Sequence, residues 1–227
     1  MDSLFEKITL YDLLGYTLPG FSLLLIVLPY TFEQMPVDLI DFLSENQVYA
    51  GVIILACSYI VGIVLSELSK YVLKAPTKDK WMGKLVERID DSSSELSLEV
   101  KKKACEALKK SKLPRKEGSS EEDISAEDGW MMYSDIQVDN NYKRIHNYAS
   151  SEEMYKNMFM SFLIGDFLLL LLCAYQVIVY GFVEWYMCVE LGVVFAAIFL
   201  FYSRWVRFEN RRIYYTAIWF IEKYMNP

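Results

Sequence analysis

Asp166 sits inside an otherwise apolar run, SFLIGDFLLLLL. A carboxylate there is costly unless paired or hydrated, and such residues mark proton sites, ion paths or hydrated gates. Glu67 and Lys70 stand one helical turn apart near the end of another apolar run. Asp166, Glu67 and Lys70, with nearby tyrosines, therefore predict an intramembrane polar site. A structural ion pair, or a carboxylate at a hydrated protein interface, is the alternative. A third group follows the last apolar run, in RWVRFENRRIYYTAIWFIEKY. On a helical wheel Arg204, Arg207 and Arg211 share one face, and Trp205, Phe208, Arg212, Tyr215 and Trp219 occupy the adjoining one. Arginines just inside a membrane attract anionic headgroups, at about 1 kcal/mol each. Aromatics at that level form an interfacial belt. The sharper reading is a grip by Arg207, Arg211 and Arg212 on a phosphorylated ligand. The basic clusters Lys101–Lys103 and Lys109–Lys116 raise the same question, with a solvated helix face as their plainer reading.

Enzyme signals are poor. The chain holds no GxSxG, HExxH, GxxxxGK[ST] or GxGxxG pattern. Its one histidine, His146, cannot build a histidine metal cluster, and no partner nucleophile stands out. Cys57, Cys105, Cys173 and Cys188 form no CxxC and no metal-ligand spacing, and read as small apolar residues and a free thiol. No catalytic residue, metal or cofactor is expected.

The elements that must carry these residues follow from composition. The chain has 227 residues, 54% apolar and 23% charged, with a net charge of −7. That average hides two populations. Segments 13–32, 48–73, 158–183 and 185–203 are almost uncharged, and each is long enough for the ~20 residues that ~30 Å of hydrocarbon requires. Four such runs exclude a soluble enzyme, a disulfide scaffold and a disordered tail. All 23 basic residues lie outside the loops 33–47 and 183–184. By the positive-inside rule both termini and the segment 74–157 are then cytosolic. The N-terminus lacks the basic region and cleavage site of a signal peptide, so the first span is expected to stay.

The expected fold is all-α: a four-helix transmembrane bundle, a mostly helical cytosolic insertion, and an extended cytosolic stem. Its parts are 1–73, with an amphipathic N-terminal helix and two spans; 74–157, the insertion; 158–203, two more spans; and 204–227, the stem. Leu18-Pro19-Gly20 is expected to interrupt the first span, because proline removes a donor and kinks a helix. Such a break can line a binding site, or be satisfied by neighbouring helices. Residues 33–46 read as a short amphipathic surface helix. Gly62 to Ser66 is a small-xxx-small spacing that permits close helix approach.

Within the insertion, 74–116 carries +6 and 117–157 carries −7, so nucleic-acid binding is not expected. Helical spacing recurs in 78–90 and in Leu96, Val100, Ala104 and Leu108, with Pro114 as a stop. Residues 117–128 read as an acidic linker, and 130–138 as a strand or helix. Ser150 and Glu153 have capping-box spacing and should start the helix entering the third span. Spans three and four form a tight antiparallel hairpin. The fourth helix can run unbroken to Tyr224, about 60 Å.

Three stretches resemble features of small bacterial four-span proteins of anti-phage defence modules, such as the membrane component of the Kiwa system: Tyr11-Asp-Leu-Leu-Gly-Tyr-Thr-Leu-Pro-Gly20, Ser58-Tyr-Ile-Val-Gly62 and Arg204-Trp-Val-Arg-Phe-Glu-Asn-Arg-Arg212. The resemblance covers spans and stem, not the insertion, and it implies a defence role without assigning any residue. The resulting expectation is a non-enzymatic, multi-pass protein of the cell inner membrane. It would act as an oligomeric sensor or effector that meets anionic lipid headgroups and signals through its insertion and stem to a cytosolic partner or to membrane integrity. An anchor or scaffold, or a small channel or transporter subunit using Asp166, are the alternatives.

Overall fold

The computed structural model describes residues 10–31, 37, 40, 44–73, 95–111, 113, 124, 126–139 and 144–225. The expected helix at 78–90 lies outside them, and the surface helix at 33–46, the acidic linker and the chain before Leu10 lie largely outside. Among the described residues the protein is all-helical. It forms α1 (Leu10–Thr31), α2 (Gln47–Val72), α3 (Glu95–Ser111), α4 (Ala126–Val138), α5 (Arg144–Tyr180) and α6 (Trp185–Met225), with no strand. Residues 130–138 are thus helix. Four of the six, α1, α2, α5 and α6, are long and apolar enough to cross a membrane.

The chain divides into two compact units. The first holds residues 1–72 and 150–206, the second 73–149 and 207–227. In the first, α1 and α2 approach until their backbones touch. A β-carbon on Gly20 would fall inside the Ser58 carbonyl, and one on Gly62 inside the Tyr16 carbonyl. The buried residues of α2 are Ser58, Gly62, Leu65, Ser66 and Ser69, a nearly continuous small-residue stripe. Lipid supplies no hydrophobic drive between helices, so dispersion and hydrogen bonds at close range must hold them. The small-residue spacing of Gly62 and Ser66 is therefore used within the chain, against α1 and α5. Against α1 also pack α5 and α6, around Ile26, Leu169 and Val194. An aromatic ladder joins α5 to α6, with Phe162 stacked on Phe201 at 5.1 Å and Phe159 against Tyr202 and Trp205.

α1 is not interrupted at Leu18-Pro19-Gly20: the helix runs through Pro19 and Pro29. Pro19 has no N–H, so the Gly15 carbonyl one turn earlier loses its usual donor. The Asn157 side-chain amide replaces it at 3.4 Å, and the Ser161 hydroxyl donates to the Pro19 carbonyl at 2.8 Å. Ser150 starts no helix either. α5 already begins at Arg144, so Ser150 lies mid-helix and Glu153 is free to bond elsewhere. At the other end α5 stops at Tyr180, earlier than expected, because Gly181 adopts a left-handed φ of 77°. Its N–H still bonds the Val177 carbonyl at 3.0 Å, the usual glycine close to a helix.

The second unit packs α3, α4, the start of α5 and the end of α6. Ala104, Leu108, Met132, Ile136, Ile145, Ile213 and Phe220 are all nearly or fully buried. Ala104 and Leu108 lie four residues apart, on the stripe that the sequence pattern marks. α3 stops at Ser111, where the Ser111 hydroxyl bonds back to the Leu108 carbonyl at 2.8 Å, ahead of Pro114.

Gly62→Leu or Gly20→Val must push α1 from α2, because backbone cannot move aside as a side-chain tip can. Each is expected to destabilise the detergent-solubilised protein by about 1–3 kcal/mol, read as a lowered unfolding midpoint. Gly51→Leu, on the same helix with nothing within 4 Å of its added β-carbon, should leave the midpoint nearly unchanged.

Candidate functional site

The residues singled out in the spans fall at different levels of the first unit. Lys70 and Glu67 pair at 2.6 Å, and both side chains are more than half exposed. Such a pair is worth little, since solvent or headgroups screen it. Asp166 is not with them. α1 and α5 run side by side in parallel, with Gly15 at Asn157, Pro19 at Ser161 and Ile26 at Gly165. α2 runs the other way, with Ser58 at Gly20 and Gly62 at Tyr16. Glu67 lies beyond Gly62 in one direction, and Asp166 lies beyond Ser161 in the other. At 1.5 Å per residue they are separated by about 20 Å along the bundle. A single polar site of Asp166, Glu67 and Lys70 is therefore not what the fold builds.

It builds two other things. One is a polar layer between α1, α2 and α5 that the sequence pattern missed. The Ser66 hydroxyl donates to Glu153 at 3.0 Å, and Lys156 pairs with the same carboxylate at 2.8 Å. Ser69, fully buried, donates to the Ser66 carbonyl at 2.7 Å and lies 3.3 Å from the Asn157 side-chain oxygen. Lys156, Asn157 and Ser161 are buried. The signal for them was Glu153, Asn157 and Ser161, four residues apart each time and so on one helix face. It was overlooked because Glu153 read as a capping residue that bonds back to Ser150. Every group in the layer has a partner, so the layer joins helices.

The other is Asp166 alone. Its Oδ1 is buried with no hydrogen-bond partner. A buried, unsatisfied carboxylate oxygen is costly, and in a span it is the natural seat of a function.

In the stem, burial separates the two predicted faces. Arg204, Arg207 and Arg211 are exposed, and Arg211 lies over the Phe208 ring at 5.8 Å. Arg212 is turned into the second unit, its guanidinium 5.5 Å from the Tyr133 ring centre. A three-arginine grip is thus reduced to Arg207 and Arg211. The aromatics of the stem pack on one another and on α5. Tyr215 stacks on Tyr148 at 5.1 Å with ring planes 2° apart, and Trp219 stacks on Tyr215. In the first unit, Trp205 packs on Phe159 and Tyr202. α5 brings a second aromatic row against α6. His146 is half-buried on α5.

At the end of α6, Lys223 pairs with Asp135 at 2.9 Å and Asp139 at 3.5 Å, and the Tyr224 hydroxyl donates to Asp135 at 3.1 Å. Burial opposes the charge on Lys223, but the hydrogen bond and attraction to Asp135 outweigh it, and its pKa is raised. Burial, then the Asp135 hydrogen bond, raises that of Tyr224. Among the described residues no cluster of His, Cys, Asp or Glu could hold a metal ion. No family model, no curated protein and no solved structure matches the chain.

Two outcomes follow. Asp166→Leu removes an unsatisfied oxygen and should stabilise the protein by about 1 kcal/mol or more in thermal unfolding, the reverse of an ordinary polar-to-apolar exchange at a bonded site. For the second unit, both Lys223 and Tyr224 hold their protons more tightly folded than unfolded. Their contribution is complete below about pH 10 and is lost as pH rises through the folded values. Alkaline unfolding should therefore begin at lower pH in Asp135→Asn than in wild type, followed by circular dichroism.

Proposed function

We propose that the protein is a non-enzymatic, multi-pass sensor or effector of a bacterial inner membrane, working as an oligomer in anti-phage defence. The basic-residue asymmetry supports an orientation with both termini and the second unit in the cytosol and the Gly181–Glu184 hairpin outside. The resemblance of three stretches to four-span defence proteins supports the setting. One observation carries the mechanism. α5 and α6 are single uninterrupted helices, of 37 and 41 residues, and each contributes to both compact units. That α5 and α6 each continue from a span into the second unit supports a reading in which a change of packing around Ile145, Ile213 or Phe220 is passed on to the spans. The signal would be a partner or ligand on the cytosolic unit, and the response a change in span packing and membrane integrity. Arg204, Arg207 and Arg211 would meet anionic headgroups.

A membrane anchor that recruits a cytosolic partner is the second reading, favoured by the separate core of the second unit. A four-glycine insertion after Ser150 distinguishes them. Triggered expression of wild type should depolarise cells, read with a potential-sensitive dye, and lower phage plating. The insertion should abolish both while leaving the protein in the membrane. Retained protection without any depolarisation, in wild type and insertion alike, would favour the anchor.

A further inference from the structure

At the hairpin end of the first unit, α1, α5, α6 and the hairpin line an open cavity of about 570 Å³. Five aromatic rings line it: Tyr30, Tyr175, Tyr180, Phe182 and Tyr186. Two carboxylates join them, Glu184 and Glu190. Glu190 accepts a hydrogen bond from the Tyr30 hydroxyl, which fixes the wall between α1 and α6. The Glu184 N–H bonds the Gln176 side-chain oxygen at 3.4 Å, which fixes the loop. Neither carboxylate has a cationic partner among the described residues. None is within reach in sequence either, because residues 8–69 and 157–203 contain no Lys, Arg or His. Next to this cavity lies a second of about 300 Å³, lined by Ile26, Val27, Leu168, Leu169 and Leu171, and sharing Tyr30 and Leu172 with the first.

We propose that this pair of cavities binds a cationic amphiphile: an organic ammonium head among the tyrosines and carboxylates, and its alkyl chain along the leucines. Aromatic faces attract a desolvated ammonium, and quaternary ammoniums are recognised by such ring sets. The two carboxylates supply the countercharge. The apolar second cavity takes hydrocarbon and offers a head nothing to bond. A phospholipid fits less well, because its phosphate would enter a site with two carboxylates and no cation. A free, net-positive amphiphile meets no such repulsion. The site is independent of the signalling role above and stands if that role fails.

The test uses the full chain in a neutral maltoside detergent, titrated with dodecyltrimethylammonium and followed by tyrosine fluorescence. Dodecylphosphocholine, with the same head and chain joined through a phosphate, and tetramethylammonium, the head alone, are the comparators. Dodecyltrimethylammonium should bind at least about tenfold more tightly than either. Glu184→Gln with Glu190→Gln, which keeps shape and leaves an acceptor for Tyr30, should remove that preference. Tyr180→Ala should weaken binding several-fold and serves if the double variant fails to fold. Equal affinity for the two alkylated probes, or an affinity indifferent to these substitutions in folded protein, overturns the charge and ring assignment. Tetramethylammonium binding as tightly as the alkylated ammonium overturns the role of the second cavity.

Discussion

The absence of two side chains sets the distance on which the first unit depends. Gly20 and Gly62 let α1 and α2 meet backbone to backbone. Once they do, Ser58, Ser66 and Ser69 of α2 are enclosed, and their hydroxyls must be satisfied inside protein. Ser58 bonds its own helix at the Ile54 carbonyl, 2.7 Å away, while Ser66 and Ser69 reach towards α5. The small stripe is thus both the steric permission for the contact and the source of its polar cement. Larger residues at these positions would separate the helices and leave the hydroxyls facing hydrocarbon.

Pro19 sits one residue from Gly20, and its position is coupled to the same contact. A proline in a span leaves one backbone carbonyl without a donor, and lipid cannot supply one. The Asn157 amide meets the Gly15 carbonyl because α5 runs parallel to α1 at this level, and Ser161, one turn on, meets the Pro19 carbonyl. Three helices therefore converge on one short stretch of α1. That stretch includes Leu18-Pro19-Gly20, which by local rules alone should have broken the helix. Tertiary hydrogen bonds overrule the local preference.

Much of the fold was legible in the sequence. Four uncharged runs of sufficient length gave four spanning helices, because only a helix satisfies its own backbone in hydrocarbon. Spacings of four in 96–108 marked the buried face of α3, since a water-exposed helix must segregate its apolar residues. What escaped was whatever depended on which helices are neighbours. Asp166, Glu67 and Lys70 were grouped by depth counted from helix ends. The register of α2 against α5 was invisible, and it separates them by about 20 Å. Glu153 was read as a capping residue, because the capping-box spacing with Ser150 suggested a helix start where α5 in fact runs on from Arg144. Arg212 was read as meeting headgroups or a phosphorylated ligand rather than the Tyr133 ring, because the wheel gives a face and not its occupant.

The two ends of the first unit differ in kind, and the chain's charge pattern explains why. At the Lys70 end, Lys156 offsets Glu153 and the serines complete the bonding, so polar groups there are spent on joining helices. At the hairpin end no base exists for Glu184 or Glu190, and the tyrosines beside them offer hydroxyls and ring faces but no positive charge. Half of that deficit is met internally, by the Tyr30 hydroxyl on Glu190. The remainder is an anionic, aromatic recess opening next to apolar walls. Membrane proteins keep basic residues off one face to set orientation. The same exclusion denies Glu184 and Glu190 a cationic partner among the described residues, and the recess beside them suits a cation.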